Sequence, residues 1–216
     1  MIEKNLKKRI VTSIALLLLI LLFFHSKFIL IYTLIIFSVL SILEFTALIN
    51  KIWKKSALIF FSNMIFSIYI FLFSFFFFYF SNIFQLKILL FLILFACIAS
   101  DIGGFIVGKT FKGPKLSKIS PKKTISGSLG SLALSSLFFS VGFFYLTNTI
   151  NTKIILVGLL TSVVCQIGDL FFSFLKRRGN VKDTGNFFPG HGGVLDRLDG
   201  ILFGLPFGFI FLILLF

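Results

Sequence analysis

The segment LKILLFLILFACIASDIGGFIVG, residues 86–108, decides the fold class of this chain. It is an almost unbroken apolar run, and about 20 such residues are enough to cross a bilayer as an α-helix. Strands of a membrane barrel would instead alternate between apolar and polar side chains. The run therefore predicts a transmembrane helix, and it carries a carboxylate, Asp101, in its second half.

Similar apolar runs recur along the whole chain, in which 58% of the 216 residues are hydrophobic. That fraction is too high for a soluble domain. The first run lacks a small-residue cleavage site, so we expect it to be retained. The sequence thus predicts an all-α polytopic membrane protein with about seven transmembrane helices and two long cytoplasmic loops. The predicted spans are residues 10–24, 28–49, 57–80, 86–108, 127–147, 154–175 and 198–216.

The 21 Lys and Arg residues give a net charge of +14, and they are distributed unevenly. One set of alternating loops holds 18 of them, and the other set holds Lys27, Lys87 and Lys153. The positive-inside rule places the first set in the cytoplasm, together with the N-terminus and any active site on that face. We attribute the charge to the lipid bilayer and not to nucleic-acid binding, and predict a multi-pass inner (plasma) membrane protein.

Candidate functional residues are concentrated in the later part of the chain. We divide it into N-terminal transmembrane helices, residues 1–85, and a catalytic transmembrane domain, residues 86–216. The second part contains both long cytoplasmic loops, residues 109–126 and 176–197. In the spans of the first part the only charged side chain is Glu44, near a cytoplasmic end. We therefore expect the chemistry on the inner face of the later half.

Two carboxylates, Asp101 and Asp169, lie within predicted spans. An Asp at the bilayer centre costs roughly 2.5–3.5 kcal/mol. Asp101 precedes Lys109 by eight residues and Asp169 precedes Lys176 by seven, which corresponds to about 12 and 10 Å of helix. Both are therefore predicted in the cytoplasmic half, either as a shared polar site or as structural hydrogen-bonding groups.

The stretch PGHGGVLDRLDG, residues 189–200, brings two further carboxylates, Asp196 and Asp199, next to Arg197. Acidic residues at the start of a span commonly cap a helix N-terminus. The alternative is a ligand site, because hard carboxylate oxygens beside phosphate-binding cations suit Mg²⁺ and a nucleotide or phosphate substrate.

The residues before these carboxylates favour the ligand site. Gly192 and Gly193 have no side chain and accept positive φ, so their backbone can approach a ligand closely. His191 is interpreted as an orienting or proton-handling group, because no second His is near enough in sequence to suggest a metal ligand pair. The KRR cluster, residues 176–178, supplies cations suited to phosphate.

The other long loop, KTFKGPKLSKISPKKTISG at residues 109–127, is rich in lysine. One interpretation is contact with anionic lipid head groups. The alternative is a phosphate clamp, whose donors would be Ser120, Lys122, Lys123 and Thr124. The run GGFIVGKT, residues 103–110, matches the P-loop pattern, but it follows a membrane span and not a strand, so no P-loop is assigned.

The segment SFLKRRGNVKDTGNFFPGHGGVLDRLD, residues 173–199, closely resembles the signature of the CDP-diacylglycerol synthases, also called phosphatidate cytidylyltransferases. That signature is S-x-x-K-R, then K-D, then P-G-H-G-G, then D-R-x-D, and each element occurs here. QIGDLFFS (residues 166–173), ISPKKT (residues 119–124) and Asp101 with its following glycines are also similar to the family. The resemblance covers roughly residues 96–206.

The resemblance implies a Mg²⁺-dependent reaction of phospholipid biosynthesis, in which CTP and phosphatidic acid give CDP-diacylglycerol and pyrophosphate. It implies that Asp169 and Asp196 hold the divalent metal, and a second, monovalent cation is left open. The predicted catalytic residues are Asp169, Asp196, His191, Lys176 and Arg197. The predicted substrate-binding residues are Ser120, Lys122, Lys123, Thr124, Arg177, Lys182, Asp183, Gly192, Gly193, Asp199 and Asp101.

Two other functions are considered. A transporter would use Asp101 and Asp169 as an ion relay, but the internal repeats typical of transporters are not seen. A CDP-alcohol phosphotransferase would need D-G-x-x-A-R followed by G-x-x-x-D-x-x-x-D, and nothing here fits that spacing. Ser126 stands where CDP-diacylglycerol synthases often have an acidic or amide residue. Small residues at 200–208 suggest helix packing and a homodimer.

Overall fold

The computed structural model describes residues 2–117, 119–121, 123–190 and 192–216, with side chains from residue 11 onward. These residues form helices joined by loops, with two isolated β-bridges and no named strand. The predicted all-α class is therefore confirmed. The helices are α1 (Ile2–His25), α2 (Lys27–Ile52), α3 (Ser56–Ser81), α4 (Phe84–Phe111), α5 (Ile125–Thr147), α6 (Thr152–Arg178) and α7 (Leu195–Leu215).

Six of these helices, α2 to α7, are long and apolar enough to cross a membrane. In α1 the apolar part among the described side chains is shorter, Val11–His25. Every predicted span coincides with a helix. The prediction of a polytopic membrane protein is thus confirmed.

The helices extend further into the predicted cytoplasmic loops than the sequence indicated. Helix α6 ends only at Arg178, so Lys176 lies in its last turn, and α7 already begins at Leu195, so Asp196 lies in its first turn. Both placements follow the helix dipole, which favours cations near a C-terminus and carboxylates near an N-terminus. The loop between these two helices is consequently shorter than the predicted 176–197.

The chain divides into two compact units. The first unit contains the residues up to Phe78 together with Leu175–Leu198. The second contains Tyr79–Phe174 and Asp199–Phe216. The signature segment after α6 therefore belongs to the unit that also contains α2, while the polybasic loop belongs to the other unit. The functional division into residues 1–85 and 86–216 stays a prediction.

In the first unit, the C-terminal end of α2 lies beside the chain that leaves α6. Phe45 of α2 stacks on Phe66 of α3, with ring centroids 3.8 Å apart. Leu48 is buried, and a Cβ atom at Gly179 would lie only 2.8 Å from its Cδ1. This close approach brings the last turns of α2 next to the signature loop.

In the second unit, α4 and α5 pack through small residues. A Cβ atom at Gly108 would lie 3.0 Å from Thr124 Oγ1 and 3.3 Å from Gly127 Cα. Earlier in α4, a Cβ atom at Gly103 would lie even closer to the backbone carbonyl oxygen of Gly130. Small residues at such spacing let helix backbones approach in a membrane. The glycines of the apparent P-loop pattern therefore lie within a helix and serve packing.

Two side-chain hydrogen bonds join α6 to its neighbours in the second unit, one between two serines and one between a serine and Gln166. Ser162 Oγ of α6 lies 2.7 Å from Ser100 Oγ of α4. Ser128 Oγ of α5 donates to Gln166 Oε1 at 2.5 Å. Because Gln166 is one turn before Asp169, these contacts fix the part of α6 that carries this carboxylate.

Candidate active site

The loop between α6 and α7 turns back tightly on itself before α7 begins. Phe188 and Gly192 form an antiparallel bridge, in which the Phe188 N–H donates to the Gly192 carbonyl at 2.9 Å. Gly190 and Gly192 have φ angles of +81° and +86°, which favour glycine. A Cβ atom at Gly192 would also lie 2.7 Å from Asp196 Oδ2. The backbone of this glycine therefore lies close to the carboxylate of Asp196, and the predicted approach of Gly192 and Gly193 to a ligand stays a prediction.

The carboxylate of Asp196 is enclosed, with only 5% of its side chain exposed. Its Oδ1 accepts from Lys176 Nζ at 2.8 Å, and the Lys176 side chain is only 12% exposed. Its Oδ2 accepts from the backbone N–H groups of Thr184 at 2.8 Å and Gly193 at 3.0 Å. A buried charge requires this kind of pairing and hydrogen bonding. The loop thus fixes one oxygen of Asp196, and the other faces an ammonium group.

The same loop also surrounds a second carboxylate, that of Glu44 in α2. Glu44 Oε1 accepts from the Val194 N–H at 2.9 Å, and Oε2 accepts from the Leu195 N–H at 2.9 Å and from Thr184 Oγ1 at 2.8 Å. The sequence alone predicted no role for this residue. The signal that could have found it is that Glu44 is the only charged side chain within the first three predicted spans.

In the second unit, the carboxylate of Asp169 is paired with a lysine of the polybasic loop. Lys123 Nζ donates to Asp169 Oδ2 at 2.7 Å, and the two side chains are 32% and 15% exposed. A Cβ atom at Gly200 would lie 2.8 Å from Asp169 Oδ1. The space around this carboxylate therefore depends on glycine in the facing helix α7.

Backbone hydrogen bonds close the polybasic loop at its base. The Leu116 N–H donates to the Lys123 carbonyl at 2.8 Å, and Lys115 forms an antiparallel bridge with Thr124. Thr124 is the N-cap of α5 and accepts from the Gly127 N–H at 3.1 Å. Ser126 Oγ donates to the carbonyl of Lys112, at the end of α4. Thr124 and Ser126 thus make structural contacts, and a substrate contact of Thr124 stays a prediction.

The remaining predicted site residues are placed as follows. Asp199 and Ser120 are half-buried. The exposed ones are Asp101, Arg177, Lys182, Asp183 and Arg197. His191 and Lys122 lie outside the described residues, so the structure says nothing of their predicted roles. The roles assigned to all these residues stay predictions.

The donor chemistry of Asp169 and Asp196 fits a hard divalent cation. Each carboxylate has an oxygen that faces a lysine ammonium group, and a divalent cation could replace such a group. The two N–H donors on the other oxygen of Asp196 would keep that carboxylate oriented during such an exchange. Among the described residues, no three His, Cys, Asp or Glu side chains are grouped closely enough to hold a metal by themselves.

Comparison with known proteins identifies relatives that match more than half of this chain. A phosphatidate cytidylyltransferase of Synechocystis sp. is 43% identical over 134 residues, which are 61% of this chain and 46% of that protein. One of Rickettsia felis is 42% identical over 135 residues, 57% of this chain and 59% of that protein. One of Bacillus subtilis is 40% identical over 129 residues, 56% of this chain and 47% of that protein.

The matched segments thus span about half the length of these curated relatives. A match over nearly the whole chain comes from the family model described as the cytidylyltransferase family, which covers residues 2–215. Since the match includes both carboxylate–lysine pairs and all seven helices, this chain belongs to the cytidylyltransferase family.

Proposed function

We propose that this chain is a CTP:phosphatidate cytidylyltransferase that acts at the membrane surface. The observation that carries the proposal is the Asp196–Lys176 pair, which is held by backbone N–H groups of the signature loop. The relatives named above are phosphatidate cytidylyltransferases, and the polytopic helices are compatible with a lipid substrate. Membership in the cytidylyltransferase family favours this enzyme over the transporter considered from the sequence.

The reaction is a displacement at phosphorus. A phosphate oxygen of phosphatidic acid forms a bond to the α-phosphorus of CTP, and the bond from that phosphorus to the β-phosphate oxygen breaks. The electron pair of that bond leaves with pyrophosphate. Because both substrates are anionic, the protein's task is mainly to position them and to neutralise charge.

The residues of each unit suit this task. Lys176 and Lys123 hold carboxylates as ion pairs, and the exposed Arg177, Lys182 and Arg197 have the charge and donors needed to bind phosphate groups. Mg²⁺ is part of the proposal, with Asp169 and Asp196 as the residues that would bind it. When bound, Mg²⁺ would neutralise charge on the phosphate oxygens. A second, monovalent cation and a homodimer stay predictions.

The proposed function is tested by pyrophosphate release from detergent-purified protein. We expect release only when CTP, phosphatidic acid and Mg²⁺ are all present. Replacing phosphatidic acid by diacylglycerol, which lacks the attacking phosphate, is the matched control and should abolish release. Release that continues with diacylglycerol would indicate hydrolysis of CTP and would contradict the proposal.

The orientation in the membrane is proposed from the uneven loop charges, with the N-terminus and the active site in the cytoplasm. We expect an impermeant maleimide to label Asn151→Cys in intact cells, and Lys115→Cys only after the membrane is opened. Both positions are exposed loop residues, and the native Cys97 and Cys165 are buried. The unmodified protein is the control and should remain unlabelled. The reverse labelling pattern would contradict this orientation.

A further inference from the structure

Glu44 has contacts that a residue of a membrane anchor would not need. It lies on α2, about 140–150 residues before the loop residues that donate to it. Its carboxylate accepts from the backbone N–H groups of Val194 and Leu195 and from the Thr184 hydroxyl. These donors come from both ends of the segment that carries the signature glycines.

The carboxylate also fills the space that two glycines leave open. A Cβ atom at Gly185 would lie 2.5 Å from Glu44 Oε1. A Cβ atom at Gly193 would overlap with both carboxylate oxygens of Glu44. Gly193, Val194 and Leu195 are all buried. The loop is therefore built around the Glu44 carboxylate, which replaces water as the acceptor for buried N–H groups.

The contacts of Glu44 and Asp196 are joined through shared residues. Thr184 donates its N–H to Asp196 Oδ2 and its hydroxyl to Glu44 Oε2. Just before and at the start of α7, the Gly193 N–H donates to Asp196. The N–H groups of Val194 and Leu195 donate to Glu44. A change in the position of Glu44 would therefore change the donors that orient Asp196.

We propose that Glu44 is a positioning residue for the cytidylyl transfer, acting through Thr184 and the 193–195 backbone on the orientation of Asp196. This inference rests on the proposed function for its effect on turnover. The contact itself is independent of that function. A helix that the sequence placed outside the predicted catalytic domain, residues 86–216, thus takes part in forming the site.

The test combines amide exchange with kinetics in the full-length protein. In Glu44→Ala and Glu44→Gln, we expect the Val194 and Leu195 amides to exchange hydrogen at least about tenfold faster than in wild type. We expect kcat to fall about 10–100-fold, as for other residues that orient a ligand-bearing side chain. The KM for CTP should change less than about threefold. The reason is that Glu44 does not contact Arg177, Lys182 or Arg197, the exposed cations proposed to bind phosphate groups. Glu44→Asp, which keeps the charge, should retain more turnover than Glu44→Gln.

Two further variants make the result independent of a folding defect. Thr184→Val removes one hydroxyl donor to Glu44 and keeps the N–H to Asp196, and we expect a smaller loss of kcat in the same direction. Ser41→Ala, a buried residue one turn before Glu44 on α2, is the matched control and should leave both readouts unchanged.

Unchanged exchange at Val194 and Leu195 in the Glu44 variants would overturn the contact, and faster exchange with unchanged kcat would overturn the positioning role. A wild-type protein without turnover would instead refute the proposed function, and the exchange data would still decide whether the contact exists.

Discussion

Asp196→Asn is expected to lower cytidylyl transfer by at least about 10²–10³-fold, a loss typical of removing one electrostatic contact from a reacting site. Asparagine keeps the shape of the side chain, but it loses the charge that pairs with Lys176 and that would bind a divalent cation. Its NH₂ group must also face either the Lys176 ammonium or the N–H groups of Thr184 and Gly193. The measurement is the initial rate of CDP-diacylglycerol formation at saturating CTP and phosphatidic acid.

Stability must be measured beside activity, because the variant removes the negative charge that pairs with Lys176, whose side chain is only 12% exposed. Breaking a buried pair in this way costs about 3–5 kcal/mol. The double variant Asp196→Asn/Lys176→Met removes both charges, so it should recover thermal stability without recovering activity. Glu3→Gln, a carboxyl-to-amide change outside the predicted site residues, is the control. Recovery of turnover in the double variant would show that the pair is only structural.

Asp169→Asn is the second variant with a large expected effect. We expect a fall in kcat of about 10²-fold or more, since Asp169 is proposed as a residue that would bind the divalent cation. The measurement is kcat as a function of Mg²⁺ concentration, with protein folding checked by thermal unfolding in detergent. An unchanged Mg²⁺ profile with full kcat would contradict the assignment.

Lys123→Met provides the comparison for Asp169, because it removes the ion pair and leaves the carboxylate in place. The pair is partly exposed, with the two side chains 32% and 15% exposed, so solvent weakens its contribution to stability. We therefore expect Lys123→Met mainly to raise the KM for CTP or phosphatidic acid, by about tenfold or less. If the two variants lost kcat equally, the role of Asp169 would be limited to holding Lys123.

The fold class could be predicted from the sequence because membrane helices leave a local signal. Apolar runs of the required length, such as residues 86–108, are sufficient to indicate spanning helices. The helix ends were less predictable. Lys176 and Asp196 are charged and therefore resemble loop residues, but one lies in a last helical turn and the other in a first turn, where the helix dipole favours them.

The candidate site could be predicted only in part. Asp196 and Asp169 stand out in the sequence because carboxylates are rare in this chain and costly in a membrane. Their partners Lys176 and Lys123 are 20 and 46 residues away, so the pairing itself is a tertiary contact that no local pattern contains.

Glu44 shows most clearly what sequence patterns miss. Its partners Val194 and Leu195 donate through their backbone N–H groups. Their apolar side chains therefore do not indicate the contact in the sequence. The one available signal was a charged group within an otherwise apolar span, which in a membrane requires a partner. Thr124 shows the opposite limitation, since its hydroxyl suggested a phosphate donor and the structure uses it to cap α5.

The proposed reaction transfers a cytidylyl group from CTP to phosphatidic acid. The most direct measurement uses CTP labelled in its α-phosphate and, separately, in its γ-phosphate, with wild type and Asp196→Asn in parallel. We predict that wild type transfers the α-label into the lipid extract in equal amount to the pyrophosphate released, while the γ-label stays in the aqueous phase. Asp196→Asn should transfer at least about 10²-fold less α-label than wild type. Absence of α-label from the lipid with folded wild-type protein, or γ-label in the lipid, would contradict it.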